Sequence, residues 1–123
     1  MKEMKILIAD DEQSARELIV FYLGQTSHDP EILMAADGKS ALELLASEKP
    51  DILFIDVKMP ELSGIEVLQL RDAVPLPAII FTTAFDGYAL PAFEYEATDY
   101  LLKPFAPDQL TLHIKTILAK FGK

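Results

Sequence analysis

The stretch Met4-Lys5-Ile6-Leu7-Ile8-Ala9-Asp10-Asp11 joins an apolar run directly to two adjacent carboxylates. A second run, Ile52-Leu53-Phe54-Ile55, ends in the same way, on Asp56. Segments that are hydrophobic at nearly every position suit parallel strands covered by helices on both faces. If the two runs are neighbouring strands, their C-terminal ends lie on one edge of the sheet, where open α/β folds put their sites, and three acidic groups converge. Like charges at close range raise one another's pKa, so such a cluster must recruit a cation or keep some protons. A hard dication held by one or two carboxylates and several waters meets that need, and Mg²⁺ fits the description, with Mn²⁺ as an acceptable replacement. Phosphate chemistry follows from a site of that kind.

Outward from these two runs the chain repeats a β-then-α rhythm. Further strand-like runs occur at Ile32 to Ala35, Ala78 to Phe81 and Tyr100 to Leu102. Between them, apolar residues recur at spacings of three and four: Ala15, Leu18, Ile19, Tyr22 and Leu23, then Ala41, Leu42, Leu44 and Leu45, then Ile65, Val67, Leu68 and Leu70. A last stripe comprises Leu110, Ile114, Ile117, Leu118 and Phe121, and Pro107 with Asp108 suits its start. Gly24 is placed to cap the first helix at its C-terminus. Between Phe85 and Thr98 the pattern weakens, and Pro91 predicts a short fourth helix. Val74 to Pro77, with two prolines, marks a firm break before the fourth strand. The expected architecture is α/β, a doubly wound parallel sheet of five strands.

At 123 residues the chain has the length of one domain with one core. Half its residues are hydrophobic and 25% are charged, the balance of a soluble globule. No apolar stretch approaches the roughly 18 residues of a membrane span, and the opening Met-Lys-Glu-Met-Lys is unlike a signal peptide, so the expected address is the cytoplasm. Cysteine is absent, which excludes disulfides and thiolate chemistry, and His28 and His113 are too far apart to suggest a local metal pair. The net charge of −9 repels nucleic acid and acidic membrane surfaces alike.

Four strand ends carry residues that phosphate chemistry can use: Asp10 and Asp11, Asp56, Thr83 and Lys103. Each has a plainer explanation alone. The aspartate pair could cap the first helix, Asp56 could start a turn, Thr83 could satisfy a backbone group, and Lys103 could be a solvated charge beside a proline bend. The joint pattern is far more specific. The motifs Ile-Ala-Asp-Asp-Glu at 8 to 12, Asp-Val-Lys-Met-Pro-Glu-Leu-Ser-Gly at 56 to 64, Phe-Thr-Thr-Ala at 81 to 84 and Asp-Tyr-Leu-Leu-Lys-Pro-Phe at 99 to 105 resemble those of the receiver domain of two-component response regulators, over essentially the whole chain.

That resemblance implies a flavodoxin-like (βα)5 fold with strand order 2-1-3-4-5, and a single receiver domain over 1–123 with no output domain in this chain. It implies Asp56 as phosphoacceptor, Asp11 as a direct Mg²⁺ ligand, Asp10 as an outer partner through water, and the Lys58 carbonyl as a further metal ligand. Thr83, Lys103 and Tyr100 complete the switch, and the Lys103-Pro104 bond is expected to be cis. The implied donor is a phosphohistidine on a sensor histidine kinase or a histidine phosphotransfer protein, and the output passes to another domain or a downstream protein. Such a chain catalyses only its own phosphorylation and dephosphorylation. Phe85 lies where the family tunes access of hydrolytic water.

A carboxylate is a weak nucleophile towards another anion until charge is neutralised, which is why the metal, the Lys103 ammonium and the Thr83 hydroxyl belong together. The aromatics Phe85, Tyr88, Phe93 and Tyr95 stand either for core or for a partner contact, which leaves a homodimer on phosphorylation open. Tyr88, Ala89, Ala92 and Phe93, with the 99–103 segment, are similar to receivers that precede LytTR-type DNA-binding domains. Rival folds fit less well: Asp10-Asp11-Glu12 would repel the flavin phosphate of a flavodoxin, and Lys58 stands where a haloacid-dehalogenase-type phosphatase has its second acid. The remaining alternative is a phosphorylation-independent interaction module with the same fold.

Overall fold

The computed structural model describes residues 4–25, 30–70, 78–83, 99–103, 105 and 107–121, with 83, 99, 100, 102, 107, 109, 117, 120 and 121 described by backbone alone. Strands β1 (Lys5–Ala9), β2 (Glu31–Ala35), β3 (Ile52–Asp56), β4 (Ala78–Thr83) and β5 (Asp99–Leu102) form one sheet in the order β2-β1-β3-β4-β5. Every pairing is parallel. The order reverses at β1, so the chain leaves β1 and β3 in opposite directions and opens a crevice at their C-terminal ends.

Helices α1 (Gln13–Leu23), α2 (Gly38–Glu48), α3 (Gly64–Leu70) and a C-terminal helix, α4 (Pro107–Phe121), cover the sheet. The short helix expected between Phe85 and Thr98 lies outside the described residues. One face of the sheet presents Leu7, Leu53, Ile55, Ile79 and Phe81 to Ala41 and Leu45 of α2 and Val67 and Leu68 of α3. The other presents Ile6, Ile8, Ile52, Phe54 and Ile80 to Ile19 and Leu23 of α1 and Leu110, Ile114 and Leu118 of α4. The alternation of a strand explains the split, since successive side chains point to opposite faces. The central strand β3 is buried along its whole length, whereas β2 sits at the edge and leaves Met34 51% exposed.

Local signals fix the helix ends. The Asp37 carboxylate accepts the Ser40 N–H at 2.7 Å and caps α2. Ser63 and Glu66 exchange side chain-to-backbone bonds of 3.1 and 2.9 Å, a reciprocal capping box that starts α3. Gly24 ends α1 without a left-handed conformation, at φ −70°. Two close approaches then bring the loops of the C-terminal edge together. A Cβ on Gly38 would overlap Leu62, and one on Gly64 would overlap the carbonyl oxygen of Asp56. The N-terminus of α2 therefore presses on the β3–α3 loop, and that of α3 on the last residue of β3.

Candidate functional site

Asp10 follows β1 and continues its ladder, donating its N–H to the Ala35 carbonyl at 3.0 Å. Its Oδ1 accepts the Glu12 N–H at 2.9 Å, a turn in which the side chain stands in for backbone. The N-cap of α1 is Glu12, so the pair Asp10-Asp11 does not cap that helix. The Asp10 carbonyl accepts Arg16 Nη1 at 2.6 Å, which ties the first turn of α1 to the strand end. Asp56 closes β3 beside Thr82 of β4, and its Oδ1 accepts the Lys58 N–H at 3.1 Å. The Gly64 N–H donates to the Val57 carbonyl at 2.9 Å, so the chain folds back on the strand end that carries Asp56.

These constraints bring Asp10, Asp11 and Asp56 together with one oxygen of each within 4.8 Å of the others. Asp10 and Asp56 are buried at 1% and 5% exposure, while Asp11 is open to solvent. Lys103, just beyond β5, supplies the opposing charge. Its Nζ lies 2.8 Å from Glu12 Oε1, 2.9 Å from Asp10 Oδ2 and 3.2 Å from Asp56 Oδ2. A lysine shared among three carboxylates and only 12% exposed is no solvated surface charge.

One ammonium does not balance this site. Burial of the carboxyl group, reinforced by the negative charge of Asp10, pushes Asp56 from 3.8 up to about 6, against the pull of Lys103 and the Lys58 N–H. For Lys103, burial works against the charge, yet its bonds to Glu12 and Asp10 and the field of Asp56 outweigh it and hold the ammonium above its ordinary range. The cluster therefore has room for a further cation. Three carboxylates with no nitrogen or sulfur donor among them suit a hard dication.

The structure thus gathers Asp10, Asp11, Asp56 and Lys103 at one edge. Lys58 contributes its backbone N–H to Asp56 while its side chain points to solvent. The backbones of Thr83 and Tyr100 lie on adjacent strands, Thr83 opposite Leu102 and Tyr100 opposite Phe81. Phe85 and Pro104, and with Pro104 the expected cis bond, lie outside the described residues. Three residues join the site that the sequence reading passed over: Glu12, Arg16 and Thr82. Glu12 was legible only as part of the acidic run, and Arg16 had no signal, because its contact is to a carbonyl. Thr82 is buried beside Asp56, and the register of β3 on β4 is what places it there.

The chain matches the response regulator receiver domain family over residues 6–115. It belongs to that family. Receiver domains generally bind Mg²⁺ at an acidic pocket, and Asp10, Asp11 and Asp56 form such a cluster here. Among curated relatives, this receiver domain is 44% identical over 113 residues to the transcriptional regulatory protein BtsR of Salmonella typhi, covering 89% of this chain and 47% of that protein. It is 39% identical over 113 residues to the sensory transduction protein LytT of Bacillus subtilis, covering 91% of this chain and 47% of that one. The chain spans about half the length of the curated relatives it matches. Among solved structures, the receiver domain of Francisella response regulator 1452 superposes with a TM-score of 0.81 at 31% identity, over 98% of this chain and 100% of that one. The receiver fold is thus a flavodoxin-like α/β fold with a parallel sheet. Among the described residues, no helix is long and apolar enough to cross a membrane.

Proposed function

We propose that this receiver domain accepts a phosphoryl group onto Asp56 from the phosphohistidine of a sensor histidine kinase or phosphotransfer protein. The observation that carries the reading is the position of Asp56: a buried carboxylate clustered with Asp10 and Asp11, with the Lys103 ammonium 3.2 Å away and shared with Asp10. Asp10, Asp11 and Asp56 would hold Mg²⁺, with the Lys58 carbonyl as a further ligand by family resemblance. When bound, the ion supplies charge neutralisation that lets one anion approach another. In the transfer the donor P–N bond breaks, a P–O bond forms to one Asp56 oxygen, and the imidazole leaves with the electron pair.

The residues of the chain perform the rest. The Lys58 N–H at Oδ1 fixes the rotation of the carboxylate, so the second oxygen faces the incoming group. Lys103 follows the charge as it spreads onto the phosphoryl oxygens, and the Thr83 hydroxyl is the family's second donor to them. Tyr100, on the strand paired with that of Thr83, is the residue that relays the change to the surface beyond β5. No small substrate is turned over, and the chain catalyses its own phosphorylation and dephosphorylation. Similarity to a transcriptional regulator and a sensory transduction protein, each about twice as long, supports control of an output domain; a LytTR-type output and a cytoplasmic address extend the family resemblance.

The test is titration with Mg²⁺ and beryllofluoride, which imitates a phosphoryl group on a carboxylate. Saturable binding that needs both Mg²⁺ and Asp56 is expected. No binding, with partner association unchanged in Asp56→Asn, would favour the phosphorylation-independent interaction module.

A further inference from the structure

Thr82 carries a buried polar group that has no part in holding Mg²⁺ or Lys103. It is 1% exposed, and its Oγ1 has no hydrogen-bond partner among the described residues. Burying a hydroxyl without a partner is costly, and valine would fill the same shape without that cost.

Its location gives the hydroxyl a use. On β4, Ala78 and Ile80 face α1 and the C-terminal helix, while Ile79 and Phe81 face α2 and α3. Thr82 continues the first series. Asp56 continues Ile52 and Phe54 on that same face, and Asp10 continues Ile6 and Ile8. Asp56 and Thr82 are register partners on paired strands, which run about 4.8 Å apart. Thr82 therefore shares a sheet face with Asp56 on the neighbouring strand, on the side away from β1 and Asp10. Asp56 has one donor on each oxygen, the Lys58 N–H at 3.1 Å and Lys103 at 3.2 Å, and a carboxylate can accept about four.

We propose that the Thr82 hydroxyl is a positioning donor for Asp56, unpartnered in the resting state and engaged once the carboxyl group carries a phosphoryl group. The proposal rests on Asp56 being the phosphoacceptor. When the P–O bond forms, the other Asp56 oxygen becomes an acyl carbonyl. The phosphoryl group brings roughly −1.5 to −2 charge and draws the Lys103 ammonium towards its own oxygens. Of its two donors Asp56 then keeps the Lys58 N–H alone, and the Thr82 O–H is a further buried donor on the neighbouring strand. Thr82 acts through Asp56 and touches no donor molecule.

The test compares wild type, Thr82→Val and Thr82→Ser. Intact mass with acetyl phosphate and Mg²⁺ gives the labelling rate, and the decay after donor removal gives the lifetime. Thermal midpoints in EDTA report the resting state. Thr82→Val is expected to lose about tenfold in labelling rate or lifetime, with Thr82→Ser within about twofold of wild type. In EDTA, Thr82→Val should melt at or above the wild-type midpoint, because an unmet hydroxyl is gone. Wild-type labelling with an indifferent Thr82→Val overturns this proposal alone. A lower midpoint for Thr82→Val in EDTA also overturns it, since the hydroxyl would then already have a partner. A wild type that takes no phosphoryl group overturns the phosphoacceptor reading, and this proposal with it.

Discussion

The Lys103 ammonium lies 3.2 Å from Asp56 Oδ2 across a sequence separation of 47 residues. Lys103 also meets Asp10, so two buried carboxylates depend on one cation. Lys103→Met would leave both without it. Removing one partner of a buried pair costs more than the pair itself contributes. We expect a loss of roughly 1–3 kcal/mol in urea unfolding at pH 7 without metal. Added Mg²⁺ should restore part of it, and an unchanged unfolding midpoint would contradict the charge balance described here.

Glu12 makes the shortest of the three Lys103 contacts, at 2.8 Å, yet is 59% exposed. Solvent screens such a pair, and exposed ion pairs contribute about 0–1 kcal/mol. Glu12→Gln is therefore expected to cost well under the loss seen for Lys103→Met in the same unfolding assay. Equal losses would mean that the exposed pair, not the buried ones, anchors Lys103.

The carboxyl group of Asp56, raised to about 6 by burial and by Asp10, makes stability depend on pH. Its folded pKa lies above the unfolded value, so between about 4 and 6 the native state binds more protons than the unfolded chain. This contribution is complete below the unfolded pKa and is lost as pH rises through the folded one. In EDTA, Asp56→Asn should thus gain on wild type as pH rises through that window and hold a constant advantage above it. Unfolding curves measured from pH 4 to 8 check this, and parallel pH profiles for the two proteins would contradict it.

Gly64 presses on the backbone that positions Asp56, because a Cβ there would overlap the Asp56 carbonyl oxygen. The obstacle is backbone and cannot swing aside. Gly64→Ala should cost about 1–3 kcal/mol, the usual price of overpacking, and lower beryllofluoride affinity together with stability. Gly24→Ala, in ordinary van der Waals surroundings at the end of α1, is the control that should leave that affinity unchanged.

Much of this site was legible in the sequence, for a physical reason. Apolar runs that end in Asp10 and Asp56 announce parallel strands, and parallel strands deliver their C-terminal residues to one edge. The helix stripes were equally plain, since Ile19, Leu23, Leu110, Ile114 and Leu118 keep helical spacing and are all buried. What escaped depends on register and reach. Thr82 and Thr83 are adjacent hydroxyls, and only pairing with Asp56 singles out Thr82. Glu12 and Arg16 act through one long side chain each, towards Lys103 and a backbone carbonyl, and neither contact leaves a periodic trace. The edge position of β2, with Met34 exposed, follows from the strand order that the family resemblance implied, not from the strand's own composition.

The most direct test of the account is the intact mass of the protein after incubation with acetyl phosphate, with and without Mg²⁺, beside Asp56→Asn. One added phosphoryl group that requires both Mg²⁺ and Asp56 is the predicted result. An adduct that persists in Asp56→Asn, or no adduct under any condition, would contradict Asp56 as the phosphoacceptor.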